Sequence, residues 1–312
     1  MESTQKNNRT YWRNRELDHI RQQIRDDESL SRRLRQKYMD AMNEIQKEIE
    51  AFYGRYASRE GISMEEARKR IGKLDMEKYE RKAKRYVRER NFTDRANEQM
   101  RLYNASMRIN RLQLLRLNIE LELMALISDE ERFMMEELTK QARAEYERQA
   151  GILGETINAN EKNIQSIVNA SFLSVTWSDR LWSDQTALRA ELDKLLHRGI
   201  VQGLNPRELA RELRKVFNTS VYNSERLLRT ELGRVQIDVQ KDSYEKTGFE
   251  QYEYIAEPTA CDICAELDGE IFDVRDMEIA KNAPVMHPNC RCSTAAYMSR
   301  EDWDADLRAR GL

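Results

Sequence analysis

Proline and glycine are scarce in this chain, four and eleven among 312 residues. That scarcity argues against a turn-rich sheet protein and for long, solvated helices. No apolar run approaches the roughly 18 residues that a membrane span needs. The first twenty residues are polar and lack the apolar core of a signal peptide, so the expectation is synthesis in a reducing cytoplasm with no membrane partner. There is no Ser-His-Asp set, no phosphate-cradling glycine loop and no paired-histidine motif for a catalytic metal, so an enzyme is not the first expectation. A net charge of −2 is small, but it hides an asymmetry. Residues 1–100 hold 25 basic and 19 acidic side chains, whereas residues 251–312 hold 6 and 13. The first imbalance suits an acidic partner such as DNA; the second argues against the C-terminal segment gripping phosphate.

Cysteine is also rare, and its placement is the most informative feature of the chain. All four cysteines fall in residues 261–292, CDICAELDGEIFDVRDMEIAKNAPVMHPNCRC, with one of only three histidines. Cys261 and Cys264 form a C-x-x-C; His287, Cys290 and Cys292 follow as H-P-N-C-R-C. Thiolate and imidazole in two short-spaced groups separated by a loop are the usual form of a tetrahedral Zn²⁺ site. A set of four protein ligands leaves no open position, so such an ion is structural. Five donors for four positions leave the ligand set open between His287 with Cys290 and Cys290 with Cys292. A disulfide pair and free thiols in a small core are the other readings, and a reducing compartment favours metal. No βαβ pattern surrounds the C-x-x-C, which weakens a thioredoxin-like reading.

The C-x-x-C, the Leu267-Asp268-Gly269 that follows, an aromatic, and then H-P-N-C-R-C together resemble the C-terminal module of phage minor head proteins. This is the head-morphogenesis family that includes the phage Mu F-like minor capsid proteins. The segment Trp177-Ser178-Asp179-Arg180-Leu181-Trp182 and the triplet Arg229-Thr230-Glu231 resemble further landmarks of that family, so the resemblance covers about residues 172–298 and none of residues 1–150. It implies a structural minor capsid protein of a tailed phage, present in few copies inside the head. Its partners would be the portal protein and other head proteins, and its role would lie in head assembly and in DNA packaging and ejection.

Helical periodicity dominates the first half. Leu17, Ile20 and Ile24, then Leu34, Tyr38, Ala41, Ile45, Ile49 and Phe52, recur at three and four, with a break expected near Ser29 after Asp26-Asp27-Glu28. Residues 54–61 read as a connection, and Ser63 with Glu66 as a capping box. Lys78, Arg81, Lys82, Lys84, Arg85 and Arg88 make a cationic stretch with Tyr79, Tyr86 and Phe92 interleaved. It fits a helix lying along a DNA backbone, or a solvated face whose long side chains cover apolar neighbours, the commoner case for charge runs on helices. Met100, Tyr103, Met107, Asn110, Leu114, Leu117, Leu121 and Met124 step as a heptad seam, widened by Ile109, Leu112, Ile119, Leu123 and Leu126. So broad a face suits a helical bundle, with Asn110 able to set register if the arm self-associates. Ser128 to Glu131 reads as a second capping box that restarts a helix running to about Ala150.

In the second half Gly151 and Gly154 mark a boundary, and Trp177 and Trp182 anchor the start of the second domain, with a partner surface as the lesser reading. Helices are expected over 186–198, stopped by Gly199 with His197 at its basic end, over 206–217 after the Asn205-Pro206 start, and over 221–247 with Gly248 as C-cap. Arg229 and Glu231, two apart on a helix, cannot point the same way, so each is expected to pair internally with another residue. Beyond Gly248 the period changes to a strand over 249–256, a hairpin turn at Asp268-Gly269, and a closing strand over 293–297. The fold class is therefore mainly α with a small C-terminal α+β module. It divides into a helical arm or bundle (1–150), a helical part (151–250) and a metal-stapled β module with an acidic tail carrying Trp303 (251–312). Three functional classes stand side by side. They are a structural head protein of the virion; a zinc-dependent nuclease or toxin-like transferase carrying the same module; and a non-specific DNA-binding protein.

Overall fold

A computed structural model describes residues 2–56, 73–89, 92–97, 111–154, 157, 159–202 and 206–299. The capping box at Ser63, residues 57–61 of the expected connection, Met100 to Asn110, Asn205 and Trp303 lie outside them. The helices are α1 (Glu2–Tyr56), α2 (Lys73–Glu89), α3 (Arg111–Leu153), α4 (Glu161–Val168), α5 (Trp177–Gln202) and α6 (Pro206–Thr247). Strand β1 (Gln251–Ile255), the single helical turn α7 (Asp262–Ala265), β2 (Ile271–Asp273) and β3 (Ser293–Tyr297) complete a mainly helical chain with one small sheet. Contacts group these elements into two compact units, each drawn from separated segments. One comprises Met1–Leu30, Met134–Trp177 and Arg226–Leu312; the other comprises Ser31–Phe133 and Ser178–Glu225.

The helices are longer than the polar breaks in the sequence suggest. α1 runs through Asp26-Asp27-Glu28 without interruption. Among residues 10–30 its buried positions are Glu16, Ile20 and Asp27, while Ile24 is exposed. The inward face therefore carries polar groups, which apolar periodicity cannot register. α3 likewise passes straight through Ser128. The Ser128 hydroxyl is buried and accepts from the Thr93 amide at 2.9 Å instead of capping a helix. α5 continues past Gly199, leaving His197 exposed near its end, and α6 is one helix from 206 to 247. The polar Thr219 and Ser220 fit inside α6 because their hydroxyls donate to the carbonyls of Lys215 (3.3 Å) and Val216 (3.4 Å) one turn back.

In the unit built from residues 31–133 and 178–225, the stripe Leu34, Tyr38, Ala41, Ile45, Ile49 and Phe52 is buried as expected. So are Leu114, Leu117, Leu121 and Met124 together with Ile119, Leu123 and Leu126, so the first part of α3 is buried nearly all round, with Glu120 and Glu122 among its buried residues. Trp182 is buried, donates its indole N–H to Glu131 at 3.2 Å and lies under the Arg95 guanidinium at 4.6 Å. It is an anchor, and not a free partner surface. Glu130 is fully buried and accepts from the Tyr38 hydroxyl at 2.8 Å, while Ser224 lies 2.6 Å from the same hydroxyl.

In the other unit the sheet order is β2-β1-β3, both pairings antiparallel, with Glu253 opposite Ile271 and Ile255 opposite Ser293. Asp268-Gly269 is not a tight hairpin turn. The β1–β2 connection spans residues 256–270 and contains α7; Gly269, at φ +81°, returns the chain to β2 by donating its N–H to Tyr254 O at 2.8 Å. Ile237 and Tyr244 of α6 pack with Tyr252, Val274, Met277 and Ala283 as one apolar cluster. Beside it runs a polar one. Arg148 reaches Glu16 at 2.7 Å and Glu145 at 2.7 Å, and Glu16 accepts from Ser293 of β3 at 2.6 Å.

Burial pushes the Glu130 carboxyl up to about 7, against the opposing hydrogen bonds from Ser224 and Tyr38. A folded-state pKa above the unfolded value means the neutral form favours folding, so this contribution is full at low pH and fades as pH rises through about 7. Glu130→Gln, neutral at every pH, should therefore melt higher than the parent at pH 8, by the equivalent of about 3 kcal/mol, with the gap closing near pH 4. Thermal melts at the two pH values measure it, and a gap that does not depend on pH contradicts the shift.

Candidate metal centre

The five clustered donors converge. Cys261 sits at the N-cap of α7 and is exposed; Cys264, within α7, is buried. Single turns of this kind let the two sulfurs of a C-x-x-C face one side. His287, Cys290 and Cys292 arrive on the segment leading into β3, with both cysteines buried. His287 Nε2 lies 3.2 Å from Cys261 Sγ and 3.4 Å from Cys264 Sγ, and Cys264 Sγ lies 3.8 Å from Cys290 Sγ. Two groups of three, Cys261–Cys264–His287 and Cys264–Cys290–Cys292, each have their ligand atoms within 4.8 Å of one another. A tetrahedral Zn²⁺ with the usual bond lengths separates two sulfurs by about 3.8 Å and a sulfur from a nitrogen by about 3.6 Å. The observed separations are close to those edges. All four cysteines are free thiols, so no disulfide joins them.

The imidazole is held for the same purpose. Its Nδ1 lies 2.9 Å from the Pro288 carbonyl, so Nδ1–H donates there and Nε2 is turned toward the sulfurs, the outer hydrogen bond that orients a ligand histidine. The cluster concentrates negative charge. Hydrogen bonds from the thiols of Cys264 and Cys292 hold Cys290 down at about 2, despite burial. That same sharing with Cys290, together with burial, pushes Cys264 and Cys292 well above the usual thiol range. The backbone N–H of Cys264 lowers Cys261. Burial opposes the charge on His287, but the Pro288 carbonyl and the neighbouring sulfurs outweigh it and raise its pKa. A shared thiolate surrounded by thiols and an imidazole is a donor set suited to a soft or borderline cation.

The sequence around the donors is occupied in docking them. Asn289 takes the left-handed conformation at φ 69°, which asparagine tolerates. Its side-chain oxygen accepts from Arg229 at 2.9 Å and its N–H donates to the Thr230 hydroxyl at 3.1 Å. Glu231 pairs with Arg234 at 2.6 Å, both almost fully buried, and Arg234 also donates to the carbonyls of Ile167 and Val168. Thus the Arg229-Thr230-Glu231 triplet is a docking edge, Arg229 and Thr230 both holding Asn289 and Glu231 holding Arg234. Gly233, one turn on, leaves room for the incoming loop. A Cβ there would come within 3.1 Å of Val285 and 3.4 Å of the Cys290 carbonyl. Arg291, between two donors, is buried and donates to both oxygens of Asp27 on α1, at 2.6 Å through Nε, and to the Arg229 carbonyl at 2.9 Å. Asp27 and Gly233 have no sequence signature as site residues. The only hint of Asp27 was a carboxylate interrupting an otherwise apolar stripe.

The cationic stretch on α2 presents Lys78, Arg81, Lys84, Arg85 and Arg88 to solvent. Of these, 78, 81, 85 and 88 share one helical face by their spacing. Lys82 turns inward to Glu48 at 2.7 Å and Glu122 at 2.9 Å. It therefore belongs to the bundle and departs from the expected DNA-contact set, because the buried Glu122 and the half-buried Glu48 outcompete solvent for it. Arg85 and Arg88 each approach Glu89, at 3.8 and 3.4 Å. Among the described residues no helix is long and apolar enough to cross a membrane.

Comparison with known proteins places residues 190–295 in register with the family described as Phage Mu protein F like protein. That span, about a third of the chain, contains all five donors and the Arg229 triplet, so the resemblance read from these motifs is borne out there. No curated protein and no solved structure matches.

Removing Asp27 leaves Arg291 charged, buried and unpaired. Asp27→Ala is expected to destabilise by about 3–5 kcal/mol in chemical denaturation, and Asp27→Ala with Arg291→Met by much less. Equal losses in the single and double variants would mean that the pair is not what holds the loop.

Proposed function

From the Phage Mu protein F like domain carried over residues 190–295, a domain of a phage head-morphogenesis family, we propose that this protein is a structural minor capsid protein. In this reading it sits with other head proteins near the portal vertex of a tailed phage and acts in head assembly and in the packaging and ejection of DNA. The observation that carries the non-catalytic part is the fate of the motif residues. Arg229, Thr230, Glu231, Asn289 and Arg291 all engage partners inside the unit, fixing the donor loop on α6 and α1. The residues form a joint between the donor loop, α6 and α1.

The second element of the proposal is one structural Zn²⁺ held by Cys261, Cys264, His287 and Cys290, with Cys292 donating its S–H to the Cys290 sulfur. The separations of 3.2, 3.4 and 3.8 Å run from Cys261 through His287 and Cys264 to Cys290; Cys264, common to both groups of three donors, and the orientation of His287 by Pro288 support that reading. When bound, such an ion cross-links the β1–β2 connection to the approach to β3 and adds binding free energy to a sheet with little core of its own. Elemental analysis of reduced, purified protein should find one zinc per chain. Its chelation should lower hydrogen-exchange protection across residues 251–299 while leaving the bundle of residues 31–133 protected. Protein that is metal-free and equally protected overturns the assignment.

The exposed face of α2 supports contact with packaged DNA. Changing Lys78, Arg81, Lys84, Arg85 and Arg88 to glutamine is expected to weaken retention on duplex DNA and to flatten the slope of log affinity against log salt by about 4. Unchanged binding would assign that face to solvation alone.

A further inference from the structure

Strand β1 supplies a group that the metal ligands alone do not account for. Tyr254 lies in the centre of the sheet, is 0% exposed, and packs in one cluster with Cys264, Cys290 and Cys292. Its hydroxyl has no hydrogen-bond partner among the described residues. The other two tyrosines buried in this unit beside the sheet are satisfied. Tyr252 donates to the Asn282 carbonyl at 3.2 Å, and Tyr244 reaches the Thr294 carbonyl and hydroxyl at 3.2 and 3.1 Å. A buried hydroxyl left without a partner costs about 1–3 kcal/mol, so a phenylalanine in the same place would be the cheaper apolar filler. The groups packed in the same cluster as the Tyr254 ring include the three sulfurs of Cys264, Cys290 and Cys292, and Cys264 is one whose charge its hydroxyl senses. Thiolates bound to a metal keep lone pairs that accept hydrogen bonds, and donors to them tune how tightly the ion is held.

We propose that Tyr254 is a positioning residue of the metal site, its buried O–H donating to the metal-held sulfur of Cys264. The inference rests on the zinc reading above. It adds a named outer hydrogen bond that neither the C-x-x-C nor the H-P-N-C-R-C motif contains. The bond neutralises part of the thiolate charge in a cluster that buries three sulfurs away from water. It also fixes α7 to the central strand, so that loss of the ion requires breaking a buried hydrogen bond as well as the metal–sulfur bond.

Tyr254→Phe in the full chain, loaded with zinc, tests this. The variant is expected to retain one zinc per chain but to release it to a chromogenic chelator roughly ten-fold faster than the parent. The cobalt-substituted protein gives a second readout. Loss of a donor to sulfur should move the sulfur-to-cobalt charge-transfer band to longer wavelength, which a mere packing defect would not do. If the phenylalanine variant fails to fold, 3-fluorotyrosine installed at position 254 keeps the shape and strengthens the donor, and zinc release should slow. Release rate and band position unchanged in a variant that holds its zinc overturn the role of Tyr254 and leave the zinc site standing. A parent protein that holds no zinc overturns both, so the two failures are distinguishable.

Discussion

A guanidinium buried between two cysteines of the sulfur cluster is the constraint on which the sheet-bearing unit turns. Arg291 separates Cys290 from Cys292 and must bring its charge inside with it. Asp27 supplies both carboxylate oxygens and the Arg229 carbonyl takes a further N–H. An ion pair of this kind adds little net stability, because taking two charges out of water nearly cancels their attraction. What it supplies is position. With one acceptor geometry available, the backbone at 291 has one place to be, and the sulfurs on either side inherit it.

Directed polar contacts of this type recur through the same unit and explain how so charged a chain forms an interior. Arg148 bridges Glu16 and Glu145, Gln240 meets Glu145 at 3.0 Å and Ser293 at 3.1 Å, and Arg234 joins Glu231 to the end of α4. The sheet has three short strands and two thin apolar clusters, one around Tyr252 and one around Tyr254. Hydrophobic area alone would hold it weakly and without a preferred register. Hydrogen bonds to charged groups are stronger and geometrically specific, so they set the register, and a metal ion would lock the loops that the strands leave free.

This construction bears on function. The motif residues that carry the family resemblance are the parts of a joint between α6, α1 and the donor loop. The other unit achieves its packing differently, by the apolar surface of α3, with Glu122 meeting Lys82, Glu130 meeting Tyr38 and Glu131 meeting Trp182, and offers cations outward on α2.

The residues alone determined a good deal. Helix-rich architecture followed from few glycines and prolines and from apolar steps of three and four. The donor cluster followed from the gathering of every cysteine in 32 residues, and the three strands from a change of period after Gly248. Those signals are local, because periodicity and ligand spacing are properties of a short stretch. The tertiary structure decided what short stretches cannot hold. Asp27 looked like a helix break and is the partner of a residue 264 positions away. Ser128 looked like a cap and accepts from Thr93, Lys82 looked like a DNA contact and is held by Glu48 and Glu122, and Thr219-Ser220 looked like an end and lies inside α6. Each is a polar group whose meaning depends on whether a distant partner arrives to satisfy it. In water such a group ends a helix or faces solvent; buried with its partner, it extends the helix and becomes part of the core.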